Sequence, residues 1–443
     1  MMCCDIQRRR RFVFMLISFI GFFLFPLSET LSAEPTLSIE KLTQGKVKVG
    51  DLITKDNVDL VKDFLLPGNY YLVKEGMCFE IAPSPAPYET VPKFYAELTE
   101  KVHKQYGEPV IDQNAVIYTK DGKYWPGGTP YPHPSNVLEI LANMKYEKAW
   151  DDYENVAGIF NPILYHDGEK IYKSTRSEAI YVCSKARLTY PPLGEVPGSG
   201  DEFYRIMIVL QFPLDIKGIG QLSIRYWDDV KHEDEGFAYL ASFKRIVRIS
   251  ATTWQDNMAG SDMKWGDAGG GYLEPCNYYN WKWVETKPML VPSFYNSFPR
   301  WDDKAKAYDL GVTYDGPGKK FPREKWFLLN VYVVESIPKI PRHCYGKRIQ
   351  LVATPEYSPS QPDIVSNVDF YDPQMRLWKV NVESRGIINY RGETGCTWKN
   401  QAWYDIQTGH TSHAITPTGP GFDRSVSSDP RTLTLKTLIK WGK

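Results

Sequence analysis

Apolar residues along this chain follow two different periods, and the change between them falls near residue 200. Before that point they recur at helical spacing. Phe94, Leu98, Val102 and Tyr106 come every fourth position with Lys and Glu between them, which predicts an amphipathic helix over Glu89–Tyr106. Asp56–Leu66 (DNVDLVKDFLL) predicts a shorter helix, capped by Asp56 or Asn57 and stopped by Pro67-Gly68. A third is expected over Asn136–Tyr153, starting after Pro132-His133-Pro134-Ser135 and turning Val137, Leu141 and Met144 inward. Past residue 200 the period shortens to two. Leu222, Ile224 and Tyr226 alternate with Ser223, Arg225 and Trp227, and Phe203–Phe212 reads as a longer strand ending at Pro213. Lys325–Ile337 is almost continuously apolar, as a strand covered on both faces would be. Val368–Tyr371 and Leu377–Glu383 flank Asp372-Pro373-Gln374-Met375, a hairpin turn; Trp378, Val380 and Val382 face one way, and Lys379, Asn381 and Glu383 the other.

Helices first and a long antiparallel sheet afterwards predict an α+β fold, with the helices gathered on one face of the sheet. No internal repeat is visible. The Pro/Gly clusters at Pro191–Gly200 and Gly316–Pro322 do not look like free linkers, so residues 34–443 are expected to form one large domain with an N-terminal helical portion.

The first 33 residues stand apart. Arg8–Arg11 precede an apolar run, Phe12–Leu27, and then Ser28–Ala33. This is the layout of a secretory signal cleaved after Ala33. The run falls short of the about 20 residues that a spanning helix needs; a retained anchor is the rival reading, because Leu31 is not small. Export to an oxidising compartment would permit disulfides among Cys78, Cys183, Cys276, Cys344 and Cys396, but their odd number and wide spacing leave the pairing open.

The 443 residues carry 53 Lys+Arg against 53 Asp+Glu. That balance argues against nucleic acid as a partner, since phosphate neutralisation needs a basic excess. No Gly-x-Ser-x-Gly elbow, phosphate-cradling loop or His-Glu-x-x-His is present, so no catalytic residue, metal or cofactor is expected. His410 and His413 read as solvated loop residues. So does the acidic run of Asp228-Asp229 and Glu233–Glu235 beside His232. Trp254–Gly271 carries Asp256, Asp262 and Asp267 among glycines and predicts a long surface loop with a structural or docking role. Tyr239–Ile249 threads Lys244, Arg245 and Arg248 among apolar residues. It is either an edge strand with its charges outward or a basic rim beside an apolar mouth, facing anionic headgroups or a partner's acidic patch. Aromatics are 14% of the chain, and Tyr272, Tyr278, Tyr279, Trp281, Trp283, Phe294, Tyr295 and Phe298 fall in one stretch. They make a core, or the lining of a pocket for an apolar ligand. The ligand- or partner-binding candidates are therefore Lys244, Arg245, Arg248, Asp256, Asp262, Trp281 and Trp283.

Several blocks together resemble one family. Gly127–Pro132 (GGTPYP), ahead of a helix with Glu139 and Asn143, is similar to its Gly-x-Pro-Phe-Pro element. Tyr239–Arg248 (YLASFKRIVR) is similar to its Tyr-Leu-Pro-Ala-x-Arg-Arg-Val-Arg-Arg element, with Ala241 where Pro is common and the bulky Phe243 just after. Asp256–Asp262 resembles its Asp-x-x-x-Gly-x-Asp loop, and His343–Arg348 and Tyr371–Val380 its closing strands. The family is the periplasmic domain of unknown function 1329, related to outer-membrane lipoprotein-sorting proteins of the LolA/LolB type, and the likeness spans roughly residues 50 to 415. It implies a half-barrel, a large curved antiparallel β-sheet wrapped around helices, with an apolar cavity for acyl chains or other lipids. It also implies a carrier rather than an enzyme, working with a resistance-nodulation-division family exporter and an outer-membrane protein. A structural or docking subunit with no ligand cavity would share that fold.

Overall fold

In a computed structural model of the chain, the described residues are 37–89, 93–146, 155–187, 191–249, 254–267, 273–293, 300–302, 307–309, 312–313, 321–322, 324–357, 365–390, 393–415 and 429–443. The signal segment, Tyr272, Phe294, Tyr295 and Phe298 lie outside them. All but a few short pieces feed one sheet of fifteen strands. In chain order these are β1 Leu52–Ile53, β2 Phe79–Ile81, β3 Asn155–His166, β4 Ile171–Cys183, β5 Glu202–Phe212, β6 Gly220–Tyr226, β7 Glu235–Leu240, β8 Arg245–Ile249, β9 Tyr279–Pro292, β10 Glu324–Pro338, β11 Lys347–Ala353, β12 Val365–Tyr371, β13 Leu377–Tyr390, β14 Glu393–Asp405 and β15 Thr411–Ile415. The spatial order is β1-β2-β10-β11-β12-β13-β14-β15-β3-β4-β5-β6-β7-β8, with β9 along β10. β2 and β10 run parallel; the other neighbours are antiparallel. The sheet does not close on itself, and the fold is the α+β half-barrel.

Among the described residues the helices are α1 Ile39–Leu42, α2 Pro67–Lys74, α3 Lys93–Tyr106, α4 Val137–Tyr146 and α5 Leu435–Trp441. In α3, Tyr95 and Val102, two turns apart, are buried, and Leu98 and Tyr106 of the expected face are half-buried. Asn136 caps α4, its Oδ1 accepting from the backbone of Leu138 at 3.0 Å and of Glu139 at 3.2 Å. This helix is enclosed on two sides: Ile140, Leu141 and Met144 join one core cluster, Ala142 and Tyr146 another. Residues 147–153, the expected end of that helix, lie outside the described set.

The helices do not share one face of the sheet: in β12 Asp369 meets α2 at Gly68, whereas the adjacent Val368 and Phe370 join the α4 cluster. β10 is packed on both faces. Its even positions Trp326 and Leu328 pack with α2, and Tyr332 and Val334 with α4. Its odd positions Phe327, Leu329, Val331 and Val333 pack on the other side with Met289, Val291 and Leu351. The continuous apolar run was right about a strand covered on both faces.

Four further expectations need correction. Pro67-Gly68 does not stop a helix: Val58–Phe64 is a 3₁₀ segment, and Pro67 opens α2 at its first position, where its missing N–H and fixed φ cost nothing. The alternation in β6 breaks at a register shift between Arg225 and Tyr226, so Arg225 is 4% exposed and Trp227 is fully buried. The acidic run is solvated only in part: Asp228 and Asp229 are buried and Asp234 is half-buried, whereas Glu233 is exposed. His413 lies in β15, buried against Tyr404, while His410 is half-buried. Cys78, Cys276 and Cys344 carry free thiols; burial pushes those of Cys276 and Cys344 up to about 12. The side chain of Cys396 lies outside the described set.

Candidate functional site

The Gly-rich loop folds back on itself before it meets the sheet. Ala259 and Gly260 take positive φ at its tip, and Met258 N–H donates to Met263 O at 2.8 Å. Asp262 then fastens the loop to β15: its N–H donates to Ser412 Oγ at 2.9 Å, and that hydroxyl donates to Asp262 Oδ2 at 2.6 Å. Lys379 of β13 donates to the Asp262 carbonyl, and Met263 packs on Trp403 and Ala414. Asp267 accepts from Lys264 N–H at 2.9 Å and from the Tyr345 hydroxyl at 2.7 Å. Burial pushes both carboxyls above the usual range and the Lys379 ammonium below its own. Of the three aspartates only Asp256 is exposed. The segment is a loop, as expected, but one sealed against the sheet.

Beneath it runs a buried polar belt. Glu274 meets the Tyr279 hydroxyl, which also meets His343 Nε2 at 2.8 Å. Tyr345 N–H donates to His343 Nδ1 at 3.0 Å, so in the neutral ring the proton sits on Nε2. Arg348, fully buried, donates from Nε to Ser336 Oγ at 3.1 Å and lies 4.1 Å over the Tyr279 ring. Further along, Asp229 holds two cations: Lys145 Nζ at Oδ1 and Arg225 at Oδ2, the latter at 2.9 Å. Burial pushes the Asp229 carboxyl up, yet Lys145 and Arg225 together outweigh it and hold it below the usual range. Burial lifts its neighbour Asp234 to about 6 against the pull of Arg225, with the Asp229 charge adding to the rise and Lys145 opposing it. Arg225, Asp229, Glu233, Asp234, Trp254, Pro275 and Tyr278 line a cleft of about 220 Å³, counted to its solvent mouth. That volume includes open solvent, and four of the seven lining side chains are charged, so the cleft is not the enclosed, mostly apolar pocket that holds a drug-sized ligand. Among the described residues no group of three His, Cys, Asp or Glu side chains is placed to hold a metal ion.

The basic segment lies elsewhere. Tyr239–Ile249 is not one edge strand: Tyr239 and Leu240 end β7, residues 241–244 turn, and Arg245–Ile249 (β8) alone forms the edge, pairing among the described residues only with β7. Lys244 occupies the turn before it, and Lys244, Arg245 and Arg248 are all exposed. Arg248 reaches Glu235 at 3.9 Å across the surface, a pair worth at most about 1 kcal/mol. Trp281 and Trp283 lie half-buried on β9 against the α4 core. Trp281 donates to Cys276 O at 2.8 Å, and Trp283 stands edge-on to Tyr332 at 5.1 Å. The seven candidates thus fall in three places: a free edge, a docked loop and a packed core. Lys145 and Glu274 did not stand out in the sequence, and Tyr279, His343 and Arg348 stood out only separately, because the partners lie from 5 to 84 positions apart at no recurring spacing.

Solved structures with similar folds include a DUF1329 family protein from Desulfovibrio piger (TM-score 0.43, 15% identity, 68% of this chain and 96% of that one). A domain named for outer-membrane lipoprotein sorting, from Vibrio parahaemolyticus, follows at TM-score 0.39 and 15% identity, covering 65% of this chain and 93% of that one. A LolA superfamily protein from Nitrosomonas europaea has TM-score 0.35 and 11% identity, over 64% of this chain and 92% of that one. No curated protein matches the chain. The model of the family "Protein of unknown function (DUF1329)" matches residues 52–429, from the first strand of the sheet to the residue before the final 3₁₀ turn, and with well over half its length so covered the chain belongs to that family.

Proposed function

We propose that the protein is an exported, non-catalytic binding or carrier protein for a hydrophobic ligand of the lipid class, working in the periplasm. The observation that carries this reading is the open end of the half-barrel. There Phe243 is 72% exposed and Val247 42%, on and beside a strand that also presents Lys244, Arg245 and Arg248. Apolar side chains held in water next to cations suit an anionic amphiphile, whose tail and head ask for those two environments. Burying one methylene contributes about 0.8 kcal/mol, so an acyl chain needs no covalent attachment. The basic, then apolar, N-terminal segment supports export, and among the described residues no helix is long and apolar enough to cross a membrane. A resistance-nodulation-division family exporter and an outer-membrane protein are the proposed partners. Native mass spectrometry after gentle purification should reveal co-purifying lipid; a clean ligand-free mass at several expression levels would overturn the reading.

One observation favours a second reading, a docking subunit of an envelope complex. Side chains cover β10 on both faces, Trp326, Phe327, Leu328 and Leu329 each being at most 1% exposed, and the cleft beside Arg225 is too polar for a lipid. Pull-down from envelopes separates the two: a stoichiometric membrane protein without lipid supports the docking subunit.

A further inference from the structure

We infer that the corner formed by the β5–β6 turn, the β7–β8 turn and the end of α5 is a docking site for an anionic lipid bilayer. The sheet register brings the two turns together, since Gly220 at the start of β6 pairs with Val209 on one side and Tyr239 on the other. The close approach of Gly218 and Gly442 completes the corner. A side chain on Gly218 would strike Ala241 and the Gly442 carbonyl, and one on Gly442 would strike the Tyr239 ring. Leu438 of α5 packs beneath with Val209, Leu222 and Tyr239, so the corner is rigid from below.

What this corner presents outward is unusual in a chain of zero net charge. Leu214 is 81% exposed, Phe243 72% and Phe212 46%, all at turns or strand ends rather than along a groove. Lys217, Lys244, Arg245 and Lys440 are exposed around them, with Asp215 the acid between. Lys244 holds a left-handed backbone, φ 52° and ψ 35°, a conformation that glycine or asparagine enters more easily. It sets an ammonium directly after the Phe243 ring at the tip. Protruding apolar tips ringed by cations match the headgroup–acyl boundary of an anionic leaflet, which takes the tips into its apolar layer and the cations at its phosphates. A second copy of this chain is the poorer occupant. Edge-to-edge pairing along β8 would set Arg245 and Arg248 of one copy near their equivalents in the other, and charged edges deter such pairing. The inference does not depend on a ligand inside the half-barrel, so co-purifying lipid, found or not, leaves it standing.

The test is sedimentation of the full chain with vesicles of phosphatidylcholine and with mixed phosphatidylcholine–phosphatidylglycerol vesicles. Binding is expected to the mixed vesicles and to weaken with salt. Lys244→Ala/Arg245→Ala should lower the partition coefficient roughly five-fold per cation removed. Leu214→Ala/Phe243→Ala should lower it about ten-fold or more, with unchanged thermal midpoints because all four side chains are exposed. Leu214→Trp should raise it, tryptophan being favoured at the membrane interface. Equal binding to both vesicle types, binding to neither, or variants that bind like the parent would overturn the proposal. So would a doubled mass in light scattering without vesicle binding, which assigns the corner to a second copy.

Discussion

Gly68 and Asp369, 301 positions apart, meet where α2 rests on β12: the Gly68 N–H donates to Asp369 Oδ2 at 2.8 Å. A helix leaves its first N–H groups without intrahelical partners, and Leu66, the residue preceding α2, offers no side-chain cap. A carboxyl from the sheet takes that role. It is fully enclosed, and burial pushes Asp369 up to about 7, against the opposing pull of the Gly68 hydrogen bond and of Lys347.

Stability should therefore depend on pH through Asp369. The unfolded carboxyl titrates near 4 and the folded one about 7, so between those values the native state holds a proton that the unfolded state has lost. The contribution of this group is greatest below about pH 4 and declines as pH rises through 7, at about 1.4 kcal/mol per pH unit at most. Asp369→Asn keeps an acceptor for Gly68 and removes the titration. Its urea midpoint, compared with the parent's from pH 4 to 8, should fall less steeply, and parallel profiles would show that another group is responsible.

Gly68→Ala should destabilise the protein, although alanine is the better helix former. A methyl group there would overlap the Asp369 carboxylate and Val380 Cγ2. Overpacking of this kind costs about 1–3 kcal/mol, more than the helix-propensity gain of about 1. The measurement is the unfolding free energy in urea at a fixed pH; an unchanged or raised value would contradict the packing described.

Asp229→Ala should be among the costliest substitutions in the chain. It leaves Lys145 and Arg225, 8% and 4% exposed, as buried cations without their shared carboxylate, a loss of about 3–5 kcal/mol. Lys145→Met should cost less, because Asp229 keeps Arg225 at 2.9 Å. Denaturant unfolding of both variants checks the order, and the reverse order would mean that Lys145 matters for packing rather than charge.

These buried charges mark the limit of what the chain discloses by pattern. Val380 and Val382 in β13 alternate as a strand should, and their side is buried against α2; Trp378, expected beside them, joins the α4 cluster instead, next to a register shift. Spacing alone says nothing of the opposite side, where Lys379, Asn381 and Glu383 are at most 3% exposed because the 254–267 loop and β14 cover them. The Tyr239–Ile249 segment was legible only in part: Arg245–Ile249 is the edge, but the turn at 241–244 that folds it back on β7 has no Gly, Pro, Asn or Asp to announce it. The burial of Asp228 and Asp229 was not legible, since a run of acids looks the same whether water or Lys145 lies beside it. The candidate site followed the same rule: Arg245 and Arg248 are exposed on the edge strand and Lys244 in the turn before it, whereas Asp262 is decided by Ser412, 150 positions on.

That pair supplies the last prediction. Asp262→Ala removes the acceptor of the Ser412 hydroxyl and leaves the Asp262 N–H bond to Ser412 in place. A hydrogen bond to a carboxylate contributes about 1.5–3 kcal/mol, which bears on docking of the loop rather than on the strands beneath, whose ladders do not pass through it. Hydrogen exchange should therefore speed up across residues 254–267 while β11, β12 and β13 keep their protection, and Ser412→Ala should reproduce the effect. Because Met263 also holds the loop through Trp403, the segment should loosen without detaching. If exchange instead quickens throughout the sheet, Asp262 is a keystone of the fold, and the loop cannot be treated as a separable element.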